Sequence, residues 1–210
     1  MIRDIARVFR NKLNNDFYLP DGLGVITHLA GLTRVKEVSI SQGQIRKVPV
    51  PVDCDEVEEE LCNDCEPIFK LVPDQTKRCI VYFEGTDAKL VQSMPNVSKY
   101  SCNLVLICWY NSQGFQPVEN LHTRLSSLFI NKLKSIQTHS QELSIKEVEV
   151  ISVNDSNGNI FSKYTYSDFR SAYLGCPFGS FSINFKINFS SNEVQSCFSP
   201  IVPVNFDGCC

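Results

Sequence analysis

The sequence predicts an α+β domain: a mostly antiparallel sheet with two main helices packed on it, plus a protruding acidic loop. Three observations carry this. Residues 180–190 alternate strictly, with Phe181, Ile183, Phe185, Ile187 and Phe189 on one strand face and Ser180, Ser182, Asn184, Lys186, Asn188 and Ser190 on the other. Period two marks a strand with one face in a core, and such alternation belongs to antiparallel sheets. Residues 104–110 are apolar on both parities, as expected of a strand covered on both faces. Two stripes at helical spacing, within 2–14 and 117–135, supply covering layers.

In chain order, residues 2–14 read as an amphipathic helix through Ile2, Ile5, Phe9 and Leu13, with Arg3, Arg7 and Arg10 as a basic row. Pro20 and Gly22 end it. Residues 25–29 and 35–41 read as two short strands, and Gln42-Gly43 turns the chain into 45–52. There Val48-Pro49-Val50-Pro51-Val52 predicts an edge strand or a polyproline-like arm, because two prolines remove two N–H donors on the same side. Residues 53–66 hold eight acidic residues and no basic one: Asp53, Asp55, Glu56, Glu58, Glu59, Glu60, Asp64 and Glu66. They read as a solvated loop, so 45–78 is expected to form a Pro-rich arm and acidic loop within a single domain, 1–210.

Residues 78–83 and 99–110 return to the core. The second of these needs a cover on both faces, and helices are the expected cover. In 117–135, Val118, Leu121, Leu125, Leu128, Phe129 and Leu133 make one stripe. Pro117 suits the first helical position, Glu119 the positive end, and Lys132 and Lys134 the negative end. Residues 145–153 read as a strand, 154–159 as a turn, and 164–173 as an irregular aromatic stretch leading to Pro177 and the closing strand.

Composition narrows the function classes. At 210 residues the chain suits one well-buried domain. Its net charge of −3 makes it no general magnet for nucleic acid. Residues 1–14 have no apolar signal-peptide core, and no stretch reaches the ~18–20 apolar residues of a membrane span. A cytoplasmic protein without a membrane partner is expected, so its ten cysteines are expected as free thiols.

Catalytic signatures are absent from the sequence. His28, His122 and His139 have no metalloprotease spacing, and no nucleophile elbow, Walker loop or dinucleotide fingerprint occurs. No cofactor is expected. Cys62-Asn63-Asp64-Cys65, flanked by Cys54 and Cys79, is the one candidate four-thiolate zinc set, although a zinc ribbon normally shows two CxxC pairs. The terminal Gly208-Cys209-Cys210 has the form of a prenylated GTPase tail, but no phosphate loop accompanies it.

The order of elements resembles that of bacteriophage head–tail connector and tail-terminator proteins. The matching pieces are the helix at 2–14, the arm and acidic loop at 45–66, the strand at 103–111, the helix at 117–135 and the strand at 180–190. The chain is most similar to neck and tail ring proteins of phages infecting Bacteroidetes, including the crAss-like group. The resemblance implies a non-enzymatic virion protein, present in the host cytoplasm during assembly. It implies a homo-oligomeric ring that contacts adjacent portal, neck or tail ring proteins. Genomic DNA would pass through its lumen without sequence-specific binding. On that footing Val48, Val50 and Val52, and the polar face at Asn184, Lys186 and Asn188, are candidate subunit contacts. The acidic loop would face the lumen or a neighbouring ring. The alternative is a cytoplasmic zinc-binding or protein-interaction module using Cys54, Cys62, Cys65 and Cys79.

Overall fold

The computed structural model describes residues 1–16, 26–39, 45–52, 71–85, 88–94, 97–115, 117, 119–139, 143–165 and 173–191. The elements are α1 (Ile2–Asp16), β1 (His28–Ser39), β2 (Ile45–Pro51), β3 (Cys79–Gly85), β4 (Lys89–Met94) and β5 (Val97–Asn111). Then come α2 (Leu121–Ser135), β6 (Thr138–His139), β7 (Leu143–Asn154), the single turn α3 (Asn157–Ile160) and β8 (Phe178–Ser191). The strands form one eight-stranded sheet in the order β2-β1-β3-β5-β8-β7-β6, with β4 joined to β5 beyond the end of β3. Only β1 and β3 pair in parallel, so the fold is α+β with a mostly antiparallel sheet, as expected.

The alternation at 180–190 becomes β8, flanked by β5 and β7. Its Phe and Ile side chains build the larger core with Val81 and Phe83 of β3 and Leu104 and Leu106 of β5. Both main helices lie over this face. Phe9 of α1 packs on Phe83 and Phe185, with ring centroids 6.1 and 5.4 Å away. Phe129 of α2 packs on Phe181 at 5.8 Å, and Leu125 and Leu133 continue its buried stripe.

The second face is covered differently from the expectation of helices. Ile80, Tyr82, Ile107 and Trp109 are met by Leu71 and Val72, by Ile160, Phe161 and Tyr164, and by Val48 and Val50 of β2. The margin strand β2, the single turn α3 and the irregular segments beside them do this. Serines 180 and 182 stand beside Trp109 and Ile107 in the ladder and leave room for the larger neighbours. Trp109 stacks on Phe178 at 5.4 Å and donates its indole N–H to the Tyr173 carbonyl at 2.6 Å. Polar clips hold the cover in place. Lys77 Nζ donates to the Val72 carbonyl at 2.6 Å and pairs with Asp74 at 2.7 Å. Glu84 accepts from Lys163 and from the Tyr164 hydroxyl.

Four further boundaries differ from the sequence reading. Residues 25–29 and 35–41 do not form two strands. They fall largely on one strand, β1, whose register on β3 shifts between Leu29 and Leu32 before it continues with β2 alone. Of the expected 45–78 arm and loop insertion, 45–51 takes the edge-strand alternative, as a strand of the sheet, and Leu71 and Val72 are buried in the second core rather than exposed in a loop. The acidic residues 53–66 lie outside the described residues. Helix α2 starts at Leu121, not Pro117, because Asn120 adopts a left-handed conformation (φ 56, ψ 38) that ends the preceding turn. The fourth difference is β4, which the sequence reading did not separate from loop. Among the described residues no helix is long and apolar enough to cross a membrane.

Candidate functional site

Among the described residues, the sheet margins at β2, β4 and β7 are built differently. At β2, Thr165 donates its N–H to the Lys47 carbonyl at 3.0 Å, and Lys47 donates its N–H to Thr165 Oγ1 at 2.9 Å. Lys47 therefore points away from β1. Successive residues of an antiparallel strand alternate in this respect, so Pro49 and Pro51 also hold outward positions. Neither has an N–H to offer. Val48 and Val50, of the other parity, bond toward β1, and their side chains are buried. The sequence reading is right that this strand is an edge. It is corrected on the side chains: Val48 and Val50 fill the chain's own second core and are not available to a partner. Val52 is half-buried.

At β4 every residue is exposed. Leu90 is 58% exposed and Val91 66% exposed, and Met94 also faces solvent. The register with β5 shifts between Leu90 and Gln92, so Val91 sits on a bulge. A bulge re-aims a side chain, here outward. At β7 the two-residue strand β6 covers only Ser144 and Ile145. A second bulge falls between Val150 and Ser152, and the residue it turns out, Ile151, is 57% exposed. Val153 is exposed beside it.

The polar face of β8 is partly occupied by its own sheet. Asn184 Nδ2 donates to Ser152 Oγ at 2.9 Å, and Asn188 Nδ2 donates to Glu147 Oε2 at 3.1 Å. Lys186 lies between them, opposite Asn103 and Glu149 in the ladder. All three are half-buried. This stretch is a cross-strand polar network with a solvent-facing surface.

One relay of titratable groups stands out. The Tyr110 hydroxyl lies 3.0 Å from Nδ1 of His122, and Nε2 of His122 lies 3.0 Å from Asp155 Oδ1. Gly179 makes room for it: a Cβ there would stand 2.3 Å from the Tyr110 oxygen. The Asp155 carboxylate accepts from Nε2–H, and in that tautomer Nδ1 accepts from the Tyr110 O–H. Burial, then the nearby Cys108, Asp155 and Cys79, push the Tyr110 hydroxyl up to about 12. A phenol held protonated there is a hydrogen-bond donor rather than a nucleophile. The relay ties the first turn of α2 to β5 and to the end of β7. Its signal in the sequence is weak, since Tyr110, His122 and Asp155 share no motif.

Of the proposed zinc set, Cys54, Cys62 and Cys65 lie outside the described residues. Cys79 is fully buried in the helix-covered core, with its Sγ 3.7 Å from that of Cys108. Burial, reinforced by Cys79, holds the Cys108 thiol well above its usual range, and burial raises Cys102 to about 11. Such thiols stay protonated and act as small apolar groups. Among the described residues no group of three His, Cys, Asp or Glu side chains is placed to hold a metal. His28 lies in β1, half-buried, and His139 lies in β6. Comparison with protein-family models and with curated proteins finds no match.

Proposed function

We propose that this chain is a structural subunit of a closed homo-oligomeric ring in a bacteriophage neck or tail, acting as a head–tail connector or tail terminator. Genomic DNA passes through the ring without sequence-specific contact. Portal, neck or tail ring proteins are its neighbours, and the virion is its final location. The observation that carries this reading is the pair of margins at β4 and β7, which present Leu90, Val91, Met94, Ile151 and Val153 to solvent. Single exposed apolar side chains are ordinary, but a row of them along a sheet margin is the mark of a contact surface. The order of elements supports the ring class, and the net charge of −3 suits a wall that DNA slides past.

The test is the mass and shape of the purified full-length chain. Light scattering is expected to give an integer multiple of the monomer mass, and electron microscopy an annulus with a central channel. A monomer at every concentration reached would overturn the reading. The zinc-module alternative is tested separately by elemental analysis of the same preparation, with stoichiometric zinc as its required result.

A further inference from the structure

We infer that copies of this chain join head to tail through two different margins of the sheet: β4 of one copy meets β7 of the next. This rests on the ring reading above and names the surface that makes the ring. The occupant of each margin is a second copy, for three reasons.

First, the two margins match in kind. Each carries an exposed apolar residue on a bulge, Val91 on β4 and Ile151 on β7, with further exposed apolar neighbours, Leu90 and Met94 on one side and Val153 on the other. Both strands are bulged, so the contact is made mainly by these side chains rather than by a long main-chain ladder.

Second, their charges are complementary and not self-complementary. The β4 margin begins at Lys89 and is backed by Lys99, whose Nζ donates to Gln92 Oε1 at 3.0 Å. β7 carries Lys146 and two exposed carboxylates, Glu149, opposite Lys186 in the ladder, and Glu147, which also accepts from Asn188. Two β4 margins facing each other would set lysines against lysines. A β4 margin facing β7 sets lysines near carboxylates.

Third, the topology allows repetition. β4 pairs with β5, β5 with β8 and β8 with β7, each antiparallel, so β4 and β7 run in opposite directions on opposite sides of the sheet. A copy rotated about an axis along the strands brings its β7 antiparallel to the first copy's β4. The same step leaves that copy's own β4 free for a third. This is a heterologous contact, which gives a ring when the rotation closes.

The experiment uses full-length chains carrying Val91→Glu or Ile151→Glu. Both positions are exposed, so each variant is expected to keep the wild-type circular dichroism and unfolding midpoint. Each alone is expected to be monomeric under conditions where the wild type assembles. Mixed at equal concentrations they are expected to form a heterodimer and nothing larger. The intact β7 margin of the Val91→Glu chain and the intact β4 margin of the Ile151→Glu chain supply one good joint. If both single variants still form rings, the interface assignment is overturned while the ring reading stands. If only Val91→Glu blocks assembly and the mixture gives no heterodimer, β4 meets a surface other than β7 and the assignment is again overturned. A wild type that stays monomeric overturns the ring reading and this inference with it.

Discussion

β2 and β4 both lie at the margin of the same sheet, and both sit beside exposed apolar residues, yet the chain treats them in opposite ways. β2 is closed. Among its outward positions, 49 and 51 hold prolines and Lys47 is bonded to Thr165, and Val48 and Val50 are turned into a core. β4 is left open, with Leu90, Val91 and Met94 in solvent. The exposed Val35 and Ile45 on the β1–β2 ribbon therefore flank a margin whose prolines resist strand addition, whereas the exposed residues of β4 stand on a bulged margin that offers its side chains. Exposed apolar side chains are thus a weak sign of a contact surface until the strand that carries them is considered as well.

One substitution on each margin separates the two strands by the largest expected effect. Val48→Asp buries an uncompensated carboxylate in the second core and is expected to lower stability by at least about 4 kcal/mol. Val91→Asp is expected to change stability by less than about 0.5 kcal/mol. Urea unfolding of the monomer measures both, and similar losses would erase the distinction. Thr165→Ala removes the acceptor of the Lys47 N–H and is expected to cost about 1 kcal/mol in the same assay. Pro49→Ala returns an outward N–H to β2. It is expected to cost about 0.4–1 kcal/mol through the more flexible unfolded chain, and to add a self-association that light scattering detects and the Val91→Glu background does not suppress.

The smallest effect concerns the clip under the second face. Burial raises the Asp74 carboxyl, but hydrogen bonds from Lys77 and Thr76 outweigh it and hold the group below its usual 3.8. A depressed folded value contributes stability that is fully present above the unfolded value and is lost as pH falls through the folded one. Wild type is therefore expected to lose more stability than Asp74→Asn as pH drops through and below that range. Unfolding midpoints from pH 6 down to about 2.5 would measure it, and parallel curves would contradict the clip.

The alternation in β8 was legible because one face meets a large core and the other is polar throughout. The edge character of β2 was legible because proline removes a donor wherever it stands. β4 was not, since all six of its residues are exposed and no burial pattern is written into Lys89–Met94. The two-part reading of β1 failed at Gly31-Leu32, where a register shift interrupts the period without ending the strand. The cover of the second face is not legible because Leu71, Val72, Ile160 and Phe161 lie in segments of a turn or less, too short to carry a period. The Tyr110–His122–Asp155 relay joins three elements that only the tertiary fold brings together.

Hydroxyl-radical footprinting of the assembled wild type against the Val91→Glu monomer distinguishes the two margins, because Leu90 and Met94 report on β4 and Ile45 and Val35 report on the β1–β2 ribbon. Leu90 and Met94 are expected to lose several-fold in oxidation rate on assembly while Ile45 and Val35 keep theirs. Protection of Ile45 and Val35, with Met94 still reactive, would place the subunit contact on the margin that the prolines close and would contradict the account.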